Sequence, residues 1–538
     1  EACSKSAMDR IVRPGVYSLT LPTGSGKTYT GLRIAADLAQ RLSLSSLIYV
    51  LPFISIVDQT ASFARQCFNP DEIQEDHSLR PIQFEDGYHP LQHMRAMFRY
   101  WHQPVIITTL AQFWEAVFSA PANRTMNFHR LANAVILLDE PQSLAPKYWQ
   151  GLGELLEYLS DRLGSVFILM TATQPQITQY AGSGGELAPS VYHFPEIRHH
   201  YRIDGVDERQ TLDDLMALIE DEGLLHDRPA GMVVLNTKKC ALAVYDRIHT
   251  VADSTLKDHV LFLSAWLTPY RREKLLRRLR ELEEQDSPRI LVATQVVEAG
   301  VDLDFDWVIR DMGPFDSIVQ VAGRCNRHQK RAHQGRVYVL NLEDEQTGRS
   351  FASYIYDTIL LEATREVLRG RTRFDERDVP ELIRRYYNAI TDRLTPSDIV
   401  RQLRVGAWDQ PFPLYPEKDV LQMQLIVEET DEVAGLVNKL ENTHWRLATL
   451  TQKKALMQKL RQHMIDIPAK YRSSMALVCA QIASNEPLLQ DINNGKMVMM
   501  SEHLIFNQAG PEGQSYLYHP IKGFIPPDEE SLARPLTF

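Results

Sequence analysis

Long apolar runs, paired cysteines and excess positive charge are all missing from this sequence. No stretch of about 18 apolar residues occurs, so no membrane span is expected. The five cysteines (Cys3, Cys67, Cys240, Cys325 and Cys479) are odd in number and never form a C-x-x-C pair. That argues against a disulfide framework or a cysteine-rich zinc site. It fits a reducing compartment, hence a cytoplasmic protein. Acidic residues outnumber Lys and Arg by 69 to 58, for a net charge of −11, whereas a simple DNA-binding module carries the opposite sign. A local basic track remains compatible with this, because binding follows local rather than net charge. No repeat or low-complexity tract is present. The opening EACSKSAMDRIVRPG lacks the apolar run of a signal peptide and begins with glutamate, which fits a piece of a longer chain.

What is present is globular. The hydrophobic share of 44% and charged share of 24% exclude a mainly disordered chain. At roughly 100–200 residues per domain, the 538 residues predict three or four domains. The apolar runs VYSLTL, SLIYVLP, PVIITTL, AVILLDE and SVFILMTAT read as buried strands separated by helical stretches. A second block repeats the pattern with GMVVLN, HVLFLS, PRILVATQ, DWVIRDM and GRVYVLNL. Strand–helix alternation implies parallel sheets covered on both faces. The expected divisions are residues 1–205, 206–345 and 346–538. In the last, 350–405 and 433–466 read as helical.

LPTGSGKT at 21–28 follows a strand and opens a helix, the setting a phosphate loop needs. Gly24 and Gly26 let the backbone curl, so that N–H groups along Thr23, Gly24, Ser25 and Gly26 point at phosphate oxygens. Lys27 reaches the β- and γ-phosphates, and the Thr28 hydroxyl ligates Mg²⁺. The longer pattern G-x-x-x-x-G-K-[ST] is not met, because Leu21 stands at its first glycine. A glycine-rich turn with a solvated lysine is the bland reading of this loop alone. VILLDEPQ at 135–142 delivers Asp139 and Glu140 to the carboxyl edge of a parallel sheet. Asp139 then holds Mg²⁺ and Glu140 orients the attacking water; the bland reading is a helix-capping pair. Arg324 and Arg327 are three apart, so on a helix they share a face. Surface salt bridging is the alternative for them.

TAT at 171–173, TQVVEAGVDLDFD at 294–306 and QVAGRCNR at 320–327 complete an order that resembles the superfamily 2 helicases over residues 19–340. EAGVDLDFDWVIRD with PFDSIVQVAGRCNR, and TLPTGSGKT with YVLPFISIVDQT and VIITTLAQF, are similar to the CRISPR-associated helicase–nuclease of type I systems. The resemblance implies two tandem RecA-like parallel-sheet domains followed by a mainly helical C-terminal accessory region. It implies ATP and Mg²⁺ as ligands, with Lys27, Asp139, Glu140, Arg324 and Arg327 catalytic. Thr171 and Thr173 would link nucleotide state to strand movement, and Gly300, Asp302 and Gln320 would meet nucleotide from the second domain. It further implies 3′→5′ movement on single-stranded DNA, recruitment by the Cascade surveillance complex and DNA degradation by an HD nuclease.

Three departures stand out. Gln142 replaces a frequent histidine, and no glutamine in residues 1–20 is available to read adenine. The nuclease is also missing: His226-Asp227 is the only His-Asp dipeptide, and it and His199-His200 read as surface residues. Translocation requires phosphate contacts from both blocks, for which Pro52, Thr108 and Thr109, then Thr237, Ser264 and Thr294, are candidates. The helix RREKLLRRLRELEE has an apolar stripe of Leu275, Leu276, Leu279 and Leu282 and a basic first half. It reads as a solvated outer helix or a partner surface. Three functions stay open: the CRISPR translocase, another superfamily 2 helicase on RNA or duplex DNA, and a nonhydrolysing ATP-gated clamp.

Overall fold

Unbroken apolar runs build the first sheet. Strands β1 (Gly15–Thr20), β2 (Ser46–Leu51), β3 (Ile73–Asp76), β4 (Val105–Thr109), β5 (Ala134–Asp139) and β6 (Val166–Thr171) pair in the order β1-β6-β5-β2-β4-β3. Every pair is parallel. All residues of β2, β4 and β6 are buried, because helices cover both faces of such a sheet. The parallel ladder lines the carboxyl ends of the strands along one edge. Thr20 lies opposite Thr171 and Asp139 opposite Met170 on one half of that edge. Leu51 lies opposite Thr109 on the other half. The short edge strand β3 escapes the sequence reading because IQED carries no apolar run.

The second block supplies β7 (Tyr201–Gln210), β8 (Ala230–Val234), β9 (Val260–Leu263), β10 (Arg289–Ala293), β11 (Trp307–Asp311) and β12 (Gly335–Asp344). Strands β8, β10 and β9 run parallel in that order, as do β7, β12 and β11. The computed structural model describes residues 2–21, 25–52, 57–76, 100–119, 125–182, 184–189, 201–226, 230–298, 303–327, 334–394, 398–405, 422–441, 450–480, 488–492, 497–505 and 516–527. By compactness the chain forms two units, Glu1–Leu215 with Glu298–Leu414 and Met216–Val297 with Tyr415–Phe538. These units interleave along the chain, whereas the expected division is linear. Residue 205 falls inside β7.

Helices Thr358–Leu368, Val379–Arg393 and Asp398–Arg404 occupy the stretch expected to be helical after β12. Helices Asp431–Glu441 and Leu450–Arg461 lie in the second expected stretch. Beside them stands a four-stranded mixed sheet that the sequence reading did not anticipate. Its strands Met464–Pro468, Gln422–Val427, Met497–Met500 and Leu489–Ile492 pair in that order. Alternation along Gln422–Val427 sends Leu425 and Val427 into one core with Tyr518 and Phe524, and Ile426 into another with Val433 and Leu460.

Candidate nucleotide site

The carboxyl ends of β1, β6 and β5 gather the charged groups. Gly26 takes φ 76°, a left-handed conformation that glycine adopts without strain, and caps helix Lys27–Arg41. Lys27 is therefore the first helical residue. Its Nζ lies 3.2 Å from Asp139 Oδ1 and is also ion-paired with Glu140 Oε1. Burial opposes the lysine charge, but Asp139 and Glu140 outweigh it and raise its pKa. Burial pushes the Asp139 carboxyl above its ordinary value, although Lys27 pulls the other way. From β2, the Tyr49 phenol donates to Asp139 Oδ2 at 3.1 Å. Among the described residues, Asp139 Oδ1 has no hydrogen-bond partner beyond the Lys27 ion pair. With the Thr28 hydroxyl it offers hard oxygen donors, a set that fits Mg²⁺.

Glu140 leaves β5 in a left-handed turn, φ 48° and ψ 55°. Such backbone at a non-glycine residue costs on the order of 1–3 kcal/mol and clusters at functional sites. The turn aims its carboxylate into a polar ring. Oε2 accepts from Gln142 Nε2, from Thr171 Oγ1 at 3.1 Å and, at the long limit of 3.5 Å, from Gln320 Nε2. Gln142, the departure from the resembled pattern, thus braces Glu140 directly. The Thr171 hydroxyl also lies 3.0 Å from Gln142 Oε1 and from Thr173 O, so its one proton serves one acceptor at a time.

The two arginines sit differently from the expectation of a shared helical face. Helix Phe315–Ala322 ends before them at Gly323, and Asn326 at φ 49° cannot continue a helix. Arg324 is buried and donates from Nη2 to Glu298 O at 3.1 Å. The Arg327 backbone N–H donates to Asp304 Oδ1 at 2.7 Å. Thr23, Gly24, Gly300 and Asp302 lie outside the described residues, as do Asp227, His199 and His200. Ser25 is half-buried and His226 is exposed.

The candidate phosphate-gripping residues also stand at strand ends. Pro52 follows β2 and is buried. Thr108 is fully buried and donates to Asp76 O at 2.7 Å; Thr109 caps helix Leu110–Phe118 by accepting from Gln112 N. In the second unit Thr237 caps helix Lys238–Val251. Ser264 is fully buried and accepts from Trp266 N at 3.2 Å, and Thr294 is buried after β10. The Thr108, Thr109, Thr237 and Ser264 hydroxyls therefore all hold local structure.

Sequence reasoning missed Tyr49, Glu298, Arg310 and Tyr387. Arg310 was detectable, because an arginine within the apolar run DWVIRD demands a carboxylate. Glu298 Oε1 supplies it at 2.9 Å, beside Ser317 Oγ at 3.0 Å and Tyr356 Oη at 2.8 Å. Tyr387 gave no local signal, since its partner Thr173 lies 214 residues away.

Two family models match the chain. One is "CRISPR-associated nuclease/helicase Cas3, C-terminal", over residues 227–330, and the other "Type III restriction enzyme, res subunit", over residues 4–176. The chain resembles Cas3. A Cas3 nuclease/helicase of Haloferax volcanii is 25% identical, covering 72% of this chain and 55% of that relative. The chain spans about half the length of the curated Cas3 relatives it matches. The crystal structure of T. fusca Cas3 with ATP superposes with TM-score 0.68 at 19% identity, covering 98% of this chain and 70% of that one. A chain in a structure titled as a CRISPR RNA-guided surveillance complex, pre-nicking, gives 0.62 at 18% identity, covering 95% and 68%. The fold is accordingly that of Cas3: two tandem RecA-like parallel-sheet domains followed by an accessory region rich in helices.

Proposed function

We propose that this chain is an ATP-dependent single-stranded DNA translocase and helicase, moving 3′→5′, that acts in type I CRISPR interference. The observation carrying this reading is the half-buried cluster of Lys27, Asp139 and Glu140 at the carboxyl edge of β5, braced by Gln142, Thr171 and Gln320. Phosphoryl transfer needs positioning and charge neutralisation more than covalent chemistry. Lys27 supplies a cation for the phosphates. Glu140, within reach of three donors, orients and polarises the attacking water. Asp139 and Thr28 would hold Mg²⁺, which when bound would neutralise phosphate charge. Arg324 and Arg327 stabilise the transferring group, and Ser25, Gly300 and Asp302 complete the nucleotide contacts. Residues 1–205 and 206–345 act as the two RecA-like motor domains, and 346–538 as the accessory region. Pro52, Thr108, Thr109, Thr237, Ser264 and Thr294 mark the DNA path, with backbone N–H groups as the grip where the hydroxyls are engaged. Recruitment by Cascade and cleavage by an HD nuclease belong to the same proposal, supported by the likeness to a chain of a surveillance complex.

The test is ATP turnover with single-stranded DNA, single-stranded RNA or neither. Turnover stimulated by DNA is expected, and stimulation by RNA alone would favour another helicase class. Lys27→Ala should lower turnover by about 10²–10³, the cost of removing one preorganised charge-stabilising group. Parental turnover in that variant would remove the basis of the assignment.

A further inference from the structure

Glu140 belongs to a closed ring of contacts within the first unit. Thr171 Oγ1 reaches Glu140 Oε2 at 3.1 Å and accepts from Thr173 N at 3.0 Å. Tyr387 Oη donates to Thr173 O at 3.2 Å, with Thr173 Oγ1 at 3.3 Å. Its neighbour Tyr386 donates from Oη to Asp316 Oδ1 at 3.3 Å. Asp316 starts helix Phe315–Ala322, and Gln320 on that helix returns to Glu140 Oε2. Arg324 follows two residues beyond the helix end.

Tyr387 comes from helix Val379–Arg393, far beyond every motif in the sequence. It is almost wholly buried, its ring packed edge-on against Trp149 at 5.6 Å. The same helix touches the segment after Thr173 twice more. Thr391 Oγ1 donates to Gln176 Oε1 at 2.9 Å, and Asn388 pairs with the Gln176 amide. One side of this helix thus meets the first-domain threonines, and its Tyr386 meets the start of the helix that leads to the arginines.

We propose that Tyr387 is a positioning residue for ATP hydrolysis, its hydroxyl fixing Thr173 to the helix whose Tyr386 holds Asp316 and so setting the spacing between Glu140 and the Gln320–Arg324 segment. This rests on the ATPase reading above. A buried hydroxyl has no water to replace its partner, so its loss loosens the ring at Thr173. Tyr387→Phe removes one oxygen and keeps the packing against Trp149.

The experiment measures kcat and KM for ATP on the full chain, with and without single-stranded DNA. Tyr387→Phe should lower DNA-stimulated kcat by roughly three- to ten-fold, the size one hydrogen bond supplies, with KM unchanged within about two-fold. A purely structural role would lower the melting temperature and leave kcat at parental values well below it. A parent that turns over ATP beside an unchanged Tyr387→Phe overturns the proposal alone. A parent without turnover overturns the ATPase reading and the proposal with it. If Tyr387→Phe melts below assay temperature, both proteins are assayed below its melting temperature, and equal kcat there would overturn the proposal.

Discussion

Glu140 and Asp316 are both half-buried carboxylates, and their surroundings assign them opposite tasks. Glu140 accepts from three donors and faces Lys27, which suits a charged, water-orienting group. Glu140→Gln keeps size and hydrogen-bonding capacity but removes the charge. It should bind ATP with parental affinity and lose turnover, as equilibrium binding beside a turnover assay will show. Equal losses in both would reassign the residue to binding. Desolvation acts first on Asp316, and the charge of Glu298 adds to the effect; together they push its pKa up from 3.8 to about 7 against hydrogen bonds from Ser317 N and Tyr386. Its folded value exceeds its unfolded one, so the unfolded chain ionises first as pH rises. Stability contributed by the neutral carboxyl is fully present below about pH 4 and is lost as pH climbs to about 7, on the order of 4 kcal/mol at most. Asp316→Asn should flatten that slope. Urea midpoints that fall equally for parent and variant between pH 4 and 7 would show that Asp316 does not titrate this way.

At the scale of elements, the basic helix Pro269–Glu284 shows how a surface-like sequence is anchored. Only Leu279 and Leu282 of its apolar stripe are buried. Polar contacts hold its N-terminus. Thr268 caps the helix and donates to the fully buried Glu429 at 2.6 Å. Glu429 also accepts from Arg271 Nε at 2.6 Å and lies 2.9 Å from His463 Nδ1. Tyr518 Oη accepts from Thr268 N at 3.0 Å. This anchoring joins the helix to residues 422–524 within the second unit, a link that no spacing in the sequence announces. Glu429→Ala leaves Arg271 and His463 without their shared acceptor. It should destabilise this unit by about 3–5 kcal/mol, the range for breaking a buried ion pair from one side. A denaturant midpoint unchanged from the parent would place the anchor elsewhere.

For the whole molecule, the chain matches about half the length of its Cas3 relatives, and its sequence holds a single His-Asp dipeptide whose histidine is exposed. A nuclease requires several His and Asp side chains converging on metal ions. The purified 538-residue chain, given Mg²⁺, Mn²⁺, Co²⁺ or Ni²⁺, should therefore leave single-stranded circular DNA intact while hydrolysing ATP. Circles exclude end effects, so nicking has one origin. Nicks that persist through repurification and vanish on His226→Ala would overturn this expectation.

Local sequence was sufficient wherever chemistry and fold share one short segment. The run VILLDE forces a buried parallel strand and, by ending in two carboxylates, delivers Asp139 and Glu140 to the ligand edge of the sheet. TGSGKT likewise places Lys27 at a helix start, because only the following helix can continue from Gly26. Tertiary structure alone decided which groups complete that chemistry. Tyr49 and Tyr387 reach the site from another strand and a distant helix, the latter 214 residues away from its partner. A hydrogen bond between distant segments leaves no period or spacing in the chain; it exists only once hydrophobic burial has brought the two backbones together and removed the water that would otherwise satisfy both partners. The mixed sheet near the C-terminus was hidden for a related reason. Its strands are four to six residues long and depend on pairing across the sheet rather than on a continuous apolar run.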